Sequence, residues 1–126
     1  MTTIEAKQGY QMPDIATWRT RLGQRQYTVA FDIATVATSP DDEPQFTWYE
    51  ATFDPGVPDY DAIVSSIVRS HYSDDAMTAI INNHLLGDDD DDHEAEWKEM
   101  QEWRKYAKQE AKCIVQVIEM LSPAAV

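Results

Sequence analysis

A change of hydrophobic period in the middle of the chain constrains the fold more than any other feature. Before the breaker segment DPGVPD, residues 54–59, apolar and polar residues alternate, which is the two-residue period of a half-buried strand. After this segment the apolar residues recur every three to four positions, as on one face of an amphipathic helix. The sequence therefore predicts an α+β fold with strands first and helices second.

Two strands are predicted before the breaker. In residues 25–38, RQYTVAFDIATVAT, every second residue from Tyr27 to Ile33 is a large apolar one, and residues 46–53, FTWYEATF, alternate in the same way. The turn formers SPDDEPQ, residues 39–45, join the two strands into an antiparallel hairpin. Upstream, MPDIATWRTRLG, residues 12–23, has a proline near its start, apolar residues at helical spacing and a closing glycine, which predicts a short helix.

Three helices are predicted after the breaker. Asp59 is the expected N-cap of the first, and Ser73 and Gly87 are the expected start and stop of the second, whose apolar stripe reaches Leu85. The third runs roughly from Asp91 to Leu121. Its inward positions are Trp97, Met100, Ala107, Ala111, Ile114, Ile118 and Leu121, with Trp103 at the margin of the stripe.

We expect these elements to form one domain over residues 1–126. Residues 1–57 make up most of the hairpin part and residues 58–126 the helical part, because the connection between them is too short to act as a free linker. The short helix and the antiparallel β-hairpin are expected to pack on a bundle of the three C-terminal helices.

Charge and cysteine content narrow the possible partners and locations. The net charge is −13, and residues 31–61 contain eight acidic residues and no lysine or arginine. Such a surface repels phosphate backbones and anionic lipids, so neither direct nucleic-acid binding nor membrane association is expected. The single cysteine, Cys113, cannot form an intramolecular disulfide and is expected to be a small buried side chain. We expect a cytoplasmic or virion-associated protein.

The most acidic stretch, GDDDDDHE at residues 87–94, raises the question of a calcium loop. With Asp88 at position 1 of such a loop, the candidate ligands are Asp88, Asp90, Asp92 and Glu99. Position 6 needs a glycine for its sharp turn, and this position is His93. The favoured interpretation is a solvated turn whose last aspartate caps the third helix, with no metal and no cofactor.

A second acidic pair is predicted in the hairpin. If the strands pair symmetrically about Asp41, Asp32 faces Glu50 with their Cβ atoms roughly 5 Å apart. Two carboxylates at this distance could act as general acid and base or hold a cation. A register shifted by two residues would separate them. No nucleophile or histidine accompanies the pair in the sequence, and we predict no catalytic residues.

Aromatic residues supply the expected contact surface for a protein partner or for a second copy of the chain. Phe46, Trp48 and Glu50 share one face of the hairpin, and Trp103 and Tyr106 lie at the edge of the apolar stripe of the third helix. Tryptophan and tyrosine are favoured anchors of protein interfaces. These five residues are the predicted partner-binding residues.

The segment from Tyr60 to Lys108 carries a family resemblance. Its features are Tyr60, Ile63, Val64, Ile67, Val68, Arg69, Tyr72, Ser73, the INN of residues 81–83, and Trp103 followed by a run of Lys, Arg and Ala. The segment resembles a small helical module of accessory proteins encoded in the structural gene clusters of tailed phages and prophages. The resemblance implies a non-enzymatic structural or assembly role.

The expected function is therefore that of an interaction or assembly protein, with the acidic middle and the hairpin edge as its contact surface. One alternative is an acidic protein that imitates nucleic acid and inhibits a DNA-binding protein. Another is a divalent-cation-dependent hydrolase that uses Asp32, Glu50 or the run Asp88–Asp92.

Overall fold

A computed structural model describes residues 2–36, 41, 43–53, 56–87 and 90–121 of the chain. It contains a four-stranded antiparallel sheet and three helices, so the fold is α+β. The strands are β1 (Thr2–Gly9), β2 (Ala16–Arg21), β3 (Gln24–Val36) and β4 (Gln45–Phe53), in the sheet order β1-β4-β3-β2. The helices are α1 (Tyr60–Arg69), α2 (Asp74–Leu86) and α3 (Asp91–Leu121).

The predicted hairpin, β3 and β4, is confirmed and forms the centre of the sheet. Its two outer edges are paired with β1 and β2, and neither of these strands was predicted from the sequence. The expectation that the hairpin edge is a contact surface is therefore wrong, because the backbone groups of both edges are used inside the sheet.

The short helix predicted over residues 12–23 is also wrong, since half of this segment is strand β2 and none of it is helical. Leu22 and Gly23 form a two-residue turn between β2 and β3 and have φ angles of +52° and +78°. Positive φ at both central residues is the requirement of the type I′ hairpin turn, whose twist matches that of the strands. The glycine that was interpreted as a helix stop is thus a turn residue, and cross-strand pairing with β3 outweighs a weak helical pattern.

The caps predicted for the first two helices are confirmed. The Asp59 side chain accepts a hydrogen bond from the Ala62 N–H at 2.8 Å, and the Ser73 hydroxyl accepts one from the Ala76 N–H at 3.1 Å. Gly87 ends α2 in the left-handed conformation. These side chains and this glycine satisfy backbone groups that a helix end leaves without partners.

Helix α3 begins and ends at the predicted residues, and both α1 and α2 pack on it. The buried α3 residues are Met100, Ala107, Ala111, Ile114 and Ile118, while Trp97 and Leu121 are half-buried. Two expectations about helical side chains are wrong. Cys113 is exposed on α3, and Leu85, predicted as part of the inward stripe of α2, is 75% exposed.

One hydrophobic core joins the sheet to the helices. The sheet residues in this core are Ala16, Tyr27, Val29, Phe31, Ala51 and Phe53, and they pack with apolar residues of α1 and α3. Alternation along β3 and β4 places Thr28, Ala30, Trp48, Glu50 and Thr52 on the opposite side, which we call the outer face. The hydroxyl oxygens of Thr28 and Thr52 lie 3.4 Å apart there.

Candidate functional site

The two acidic residues predicted to face each other in the hairpin lie on opposite sides of the sheet. Glu50 pairs with Ala30, which is the register shifted by two residues that the sequence left open. An extra residue in β3 between Phe31 and Ala34 then forms a β-bulge, where Asp32 has a φ angle of +53°. Because a bulge redirects the side chains that follow it, Asp32 faces the helices and the predicted Asp32–Glu50 pair is wrong.

Asp32 has a set of partners that the sequence did not predict. Its backbone N–H donates to the Tyr106 hydroxyl oxygen at 3.1 Å, and its carboxylate Oδ2 lies 3.8 Å from His71 Nε2. Burial and the negative charge of Asp32 raise the pKa of the Glu110 carboxyl. The bulge is thereby joined to α3 by one hydrogen bond and lies beside His71, which follows α1.

An aromatic stack runs from the inner face of the sheet to α3. Successive ring centroids are 5.9, 5.5, 3.8 and 4.9 Å apart along Phe31, Tyr49, His71, Trp103 and Tyr106. The Trp103 indole N–H donates to the Ile67 carbonyl at 3.0 Å. Trp103 and Tyr106 were predicted to contact a partner; both are half-buried, and both make hydrogen bonds inside the molecule with their polar atoms. Their visible role is to hold α3 against α1 and the bulge.

The outer face carries a cleft with a volume of about 740 Å³. β1 and β2 lie at opposite edges of the sheet, so the segment between them, residues 10–15, has to cross from one edge to the other. The crossing segment forms one wall of this outer cleft. The lining residues are 9–14, Thr17, Thr28, Ala30, Trp48 and Glu50.

Trp48 and Glu50 are fixed relative to each other within the outer cleft. The Trp48 indole N–H donates to Glu50 Oε1 at 3.0 Å, and both side chains are half-buried. A Cβ atom at Gly9 would lie 3.3 Å from the Trp48 ring, so only glycine lets the β1 backbone come this close without displacing the indole. The carboxylate is therefore held by a ring whose own position is constrained by packing.

Two further carboxylates lie near Glu50. Asp14 lines the same cleft, and Glu5 is the cross-strand partner of Glu50. The ammonium of Lys7 lies 3.1 Å from Glu5, and its pKa is raised by this hydrogen bond and by the charges of Glu5 and Glu50. The positive charge of Lys7 is therefore stabilised by its own neighbours Glu5 and Glu50.

Of the three residues predicted to share this hairpin face, Trp48 and Glu50 lie together in the outer cleft. Phe46 is half-buried opposite Gly9, and it does not line the outer cleft. Tyr10, Met12 and Asp14 of the crossing segment do line the cleft, and the sequence analysis missed them. The sequence signal for them is a pair of large side chains, Tyr10 and Met12, next to a proline.

The acidic run does not have the conformation of a calcium loop over the part that the structure describes. Helix α3 already begins at Asp91, and the Asp90 carboxylate accepts a hydrogen bond from the Asp92 N–H at 2.9 Å. Asp90 therefore caps α3, whereas the last aspartate was predicted to do so. Glu99 lies about 10 Å further along the helix from Asp92.

The described residues do not contain the complete set of metal ligands that was considered for the acidic run. Asp88 lies outside the described residues, and among those described, no group of three or more His, Cys, Asp or Glu side chains is arranged to hold a metal ion.

Comparison with protein-family models, curated proteins and solved structures returned no match for this chain. Within the ranges that the structure describes, no helix combines the length and the apolar character needed to cross a bilayer. A functional proposal therefore has to rest on the geometry and charge of the clefts.

Proposed function

We propose that this protein is a non-enzymatic interaction protein, an assembly or accessory component, whose outer cleft binds a basic segment of a partner protein. The observation that carries the proposal is the fixed Trp48–Glu50 pair in a cleft that is also lined by the carboxylate of Asp14. Net charge and the phage-accessory resemblance of residues 60–108 are consistent with such a role.

The cleft offers the two groups that recognise a guanidinium or an ammonium. A cation is attracted to the face of a tryptophan ring, and a carboxylate beside the ring accepts its N–H donors. Glu50 is held in place before binding, so little side-chain freedom is lost when a cation arrives. Tyr10 and Met12 add apolar surface for the stem of a lysine or arginine side chain.

The charge of the whole chain favours the same class of partner. A net charge of −13 attracts basic segments over a distance and raises their rate of association. The effect weakens as salt is added, because mobile ions screen exposed charges.

The nucleic-acid mimic has less support from the described helices. Exposed carboxylates on α3 are concentrated before Trp103, and exposed lysines follow at positions 105, 108 and 112. An imitation of a phosphate backbone needs negative charge along a continuous face, and this helix reverses its charge. The divalent-cation hydrolase loses its carboxylate pair, since Asp32 and Glu50 lie on opposite sides of the sheet.

NMR titration tests the proposal directly. The chain has four tryptophans, and a Trp48→Phe variant identifies the indole N–H signal of Trp48. We expect an arginine-containing peptide to shift this signal, and an otherwise identical peptide with glutamate in place of arginine to leave it unchanged.

Two variants that remove the same charge then distinguish binding in the outer cleft from attraction by the net charge of the chain. Glu50→Gln should weaken binding of the arginine peptide by about fivefold or more, whereas Glu102→Gln, an exposed site on α3, should change it less than twofold. Equal losses in the two variants, or a shift confined to the other tryptophans, would contradict the proposal.

A further inference from the structure

A second groove, on the helical side of the molecule, lies between α1 and α2 and has a volume of about 410 Å³. Its walls are apolar side chains of both helices, Val64 and Val68 from α1 and Met77 and Ile81 from α2. Its rim carries Arg69, Asp74 and Arg104. We call this feature the helical groove.

The apolar surface of the helical groove continues beyond its rim. Leu85 lies one turn after Ile81 on the same side of α2 and is 75% exposed. The predicted apolar stripe of α2 consists of Met77, Ile80, Ile81, His84 and Leu85, and among the described residues of this helix only Ile80 is buried. The stripe is therefore half-buried at Met77 and Ile81 and is exposed at Leu85.

The charge at the helical groove is opposite to that of the rest of the molecule. Arg69 Nε lies 3.5 Å from the Asp74 carboxylate, so this pair is internally compensated. Arg104 is half-buried beside the apolar walls and has no hydrogen bond or ion pair among the described residues. Its guanidinium is therefore available to pair with a carboxylate that an occupant of the groove brings.

We propose that the helical groove is a second docking site, which binds an acidic amphipathic helix of a protein partner. Apolar side chains of that helix, one turn apart, would lie between α1 and α2, and a carboxylate beside them would pair with Arg104. The site is independent of the outer cleft. It takes a ligand of opposite charge and lies on the helices, whereas the outer cleft lies on the sheet.

Fluorescence anisotropy with a labelled helical peptide tests this inference. The probe has leucines at helical spacing flanked by glutamates, and its control has lysines in place of the glutamates. We expect the acidic peptide to bind, its affinity to fall as NaCl is added, and the lysine peptide to bind at least about tenfold more weakly.

Two variants locate the binding, and both are compared with a matched control. Arg104→Gln should weaken the acidic peptide by about fivefold or more, and Lys108→Gln, which removes the same charge at an exposed site one turn later, should change it less than twofold. Leu85→Ser removes exposed apolar surface without disturbing the core, and it should weaken binding by about threefold. Circular dichroism melting of each variant verifies that it is folded.

Several outcomes would overturn the inference. One is equal weakening by Arg104→Gln and Lys108→Gln, and another is equal binding of the acidic and lysine peptides. A third is a dimer in light scattering that Arg104→Gln dissociates while the peptide does not bind, because the occupant would then be a second copy of the chain. Glu50→Gln should leave the peptide affinity unchanged, so failure of the outer cleft proposal does not affect this test.

Discussion

At the scale of single residues, we expect that a substitution of Gln101 can stabilise the folded protein. Its side-chain Nε2 atom is buried and has no hydrogen-bond partner among the described residues. A buried polar group without a partner destabilises the folded state. We expect Gln101→Met, which has a similar volume and no amide, to raise the free energy of unfolding by about 1 kcal/mol in urea denaturation.

Gln109 provides the matched control for this substitution. It is exposed on the same helix, so Gln109→Met should change the free energy of unfolding by less than about 0.5 kcal/mol. A loss of stability in Gln101→Met relative to Gln109→Met would mean that the amide has a partner in solution.

Glu110 gives a prediction that depends on pH. Burial, followed by the charge of Asp32, raises its pKa in the folded protein above the ordinary value of 4.5. A raised folded-state pKa contributes stability that is present below the unfolded-state pKa and is lost as the pH rises through the folded-state value. Ionised Glu110 therefore destabilises the folded protein at neutral pH, by less than about 1 kcal/mol because the side chain is only partly buried.

Replacing Glu110 with glutamine should remove this cost. We expect Glu110→Gln to be more stable than the original chain in urea at pH 7, and the difference to vanish below roughly pH 4, where the carboxyl is protonated in both states. Glu119→Gln at an exposed site of α3 removes the same charge and should show a smaller gain at pH 7. A gain that persists unchanged at low pH would rule out ionisation as its cause.

At the scale of elements, the turn between β2 and β3 contains a residue poorly suited to its backbone. Leu22 has a φ angle of +52°, which is strained for a leucine. Its side chain is 94% exposed, so burial does not compensate for this strain. Asparagine tolerates positive φ, and Asn-Gly is the preferred type I′ sequence. We expect Leu22→Asn to raise the free energy of unfolding by about 0.5 to 1 kcal/mol in thermal or urea denaturation.

A β-branched residue at the same position should act in the other direction. Leu22→Val keeps an apolar side chain but tolerates positive φ less well, so it should lower the free energy of unfolding. If valine were as stable as asparagine, the turn in solution would not have the positive φ at Leu22.

The elements that could be predicted from the sequence are those with a strong local signal. These signals depend only on neighbouring residues, and the structure confirms them. They are the alternation from Tyr27 to Phe31, the helix caps Asp59 and Ser73, and the helix stop at Gly87. β1 and β2 lack such a signal. The buried residue of β2 is Ala16, and every other residue of that strand is exposed, so pairing with β3 determines its conformation.

The outer cleft was predictable only in part, for a related reason. Alternation in β4 places Trp48 and Glu50 on one face, which the sequence analysis found. Tyr10, Met12 and Asp14 reach this face because the chain crosses between two opposite edges of the sheet. That crossing follows from the strand order, and strand order depends on long-range pairing that a single sequence does not display. The bulge at Asp32 was missed for the same reason.

At the scale of the whole molecule, the two proposed sites have opposite character. The outer cleft presents carboxylates beside an aromatic ring on the sheet, and the helical groove presents a guanidinium beside apolar side chains on the helices. A partner suited to one site is repelled by the other, which would keep two partners in distinct positions. If both proposals hold, the chain would join two other proteins.

A protein that joins two partners needs a rigid connection between its sheet and its helices. The core that the sheet and the helices share allows this connection to be tested. Ile67 of α1 is fully buried in the cluster that includes Val29 of β3 and Ile114 of α3. Because the sheet and the helices bury the same apolar surface, we expect them to unfold together. Ile67→Ala should then lower the exchange protection of the Val29 and Ile114 amides by the same free energy, about 2 to 4 kcal/mol in native-state hydrogen exchange.

Val57→Ala is the control, because Val57 is 60% exposed and its truncation should leave both amides almost unchanged. If Ile67→Ala reduced protection at Ile114 while Val29 kept its protection, the sheet would be an independent folding unit. The outer cleft and the helical groove would then be free to separate on local unfolding. Equal losses at the two amides would instead mean that binding at either site stabilises the whole chain, because ligand binding to the folded state is linked to one common unfolding equilibrium.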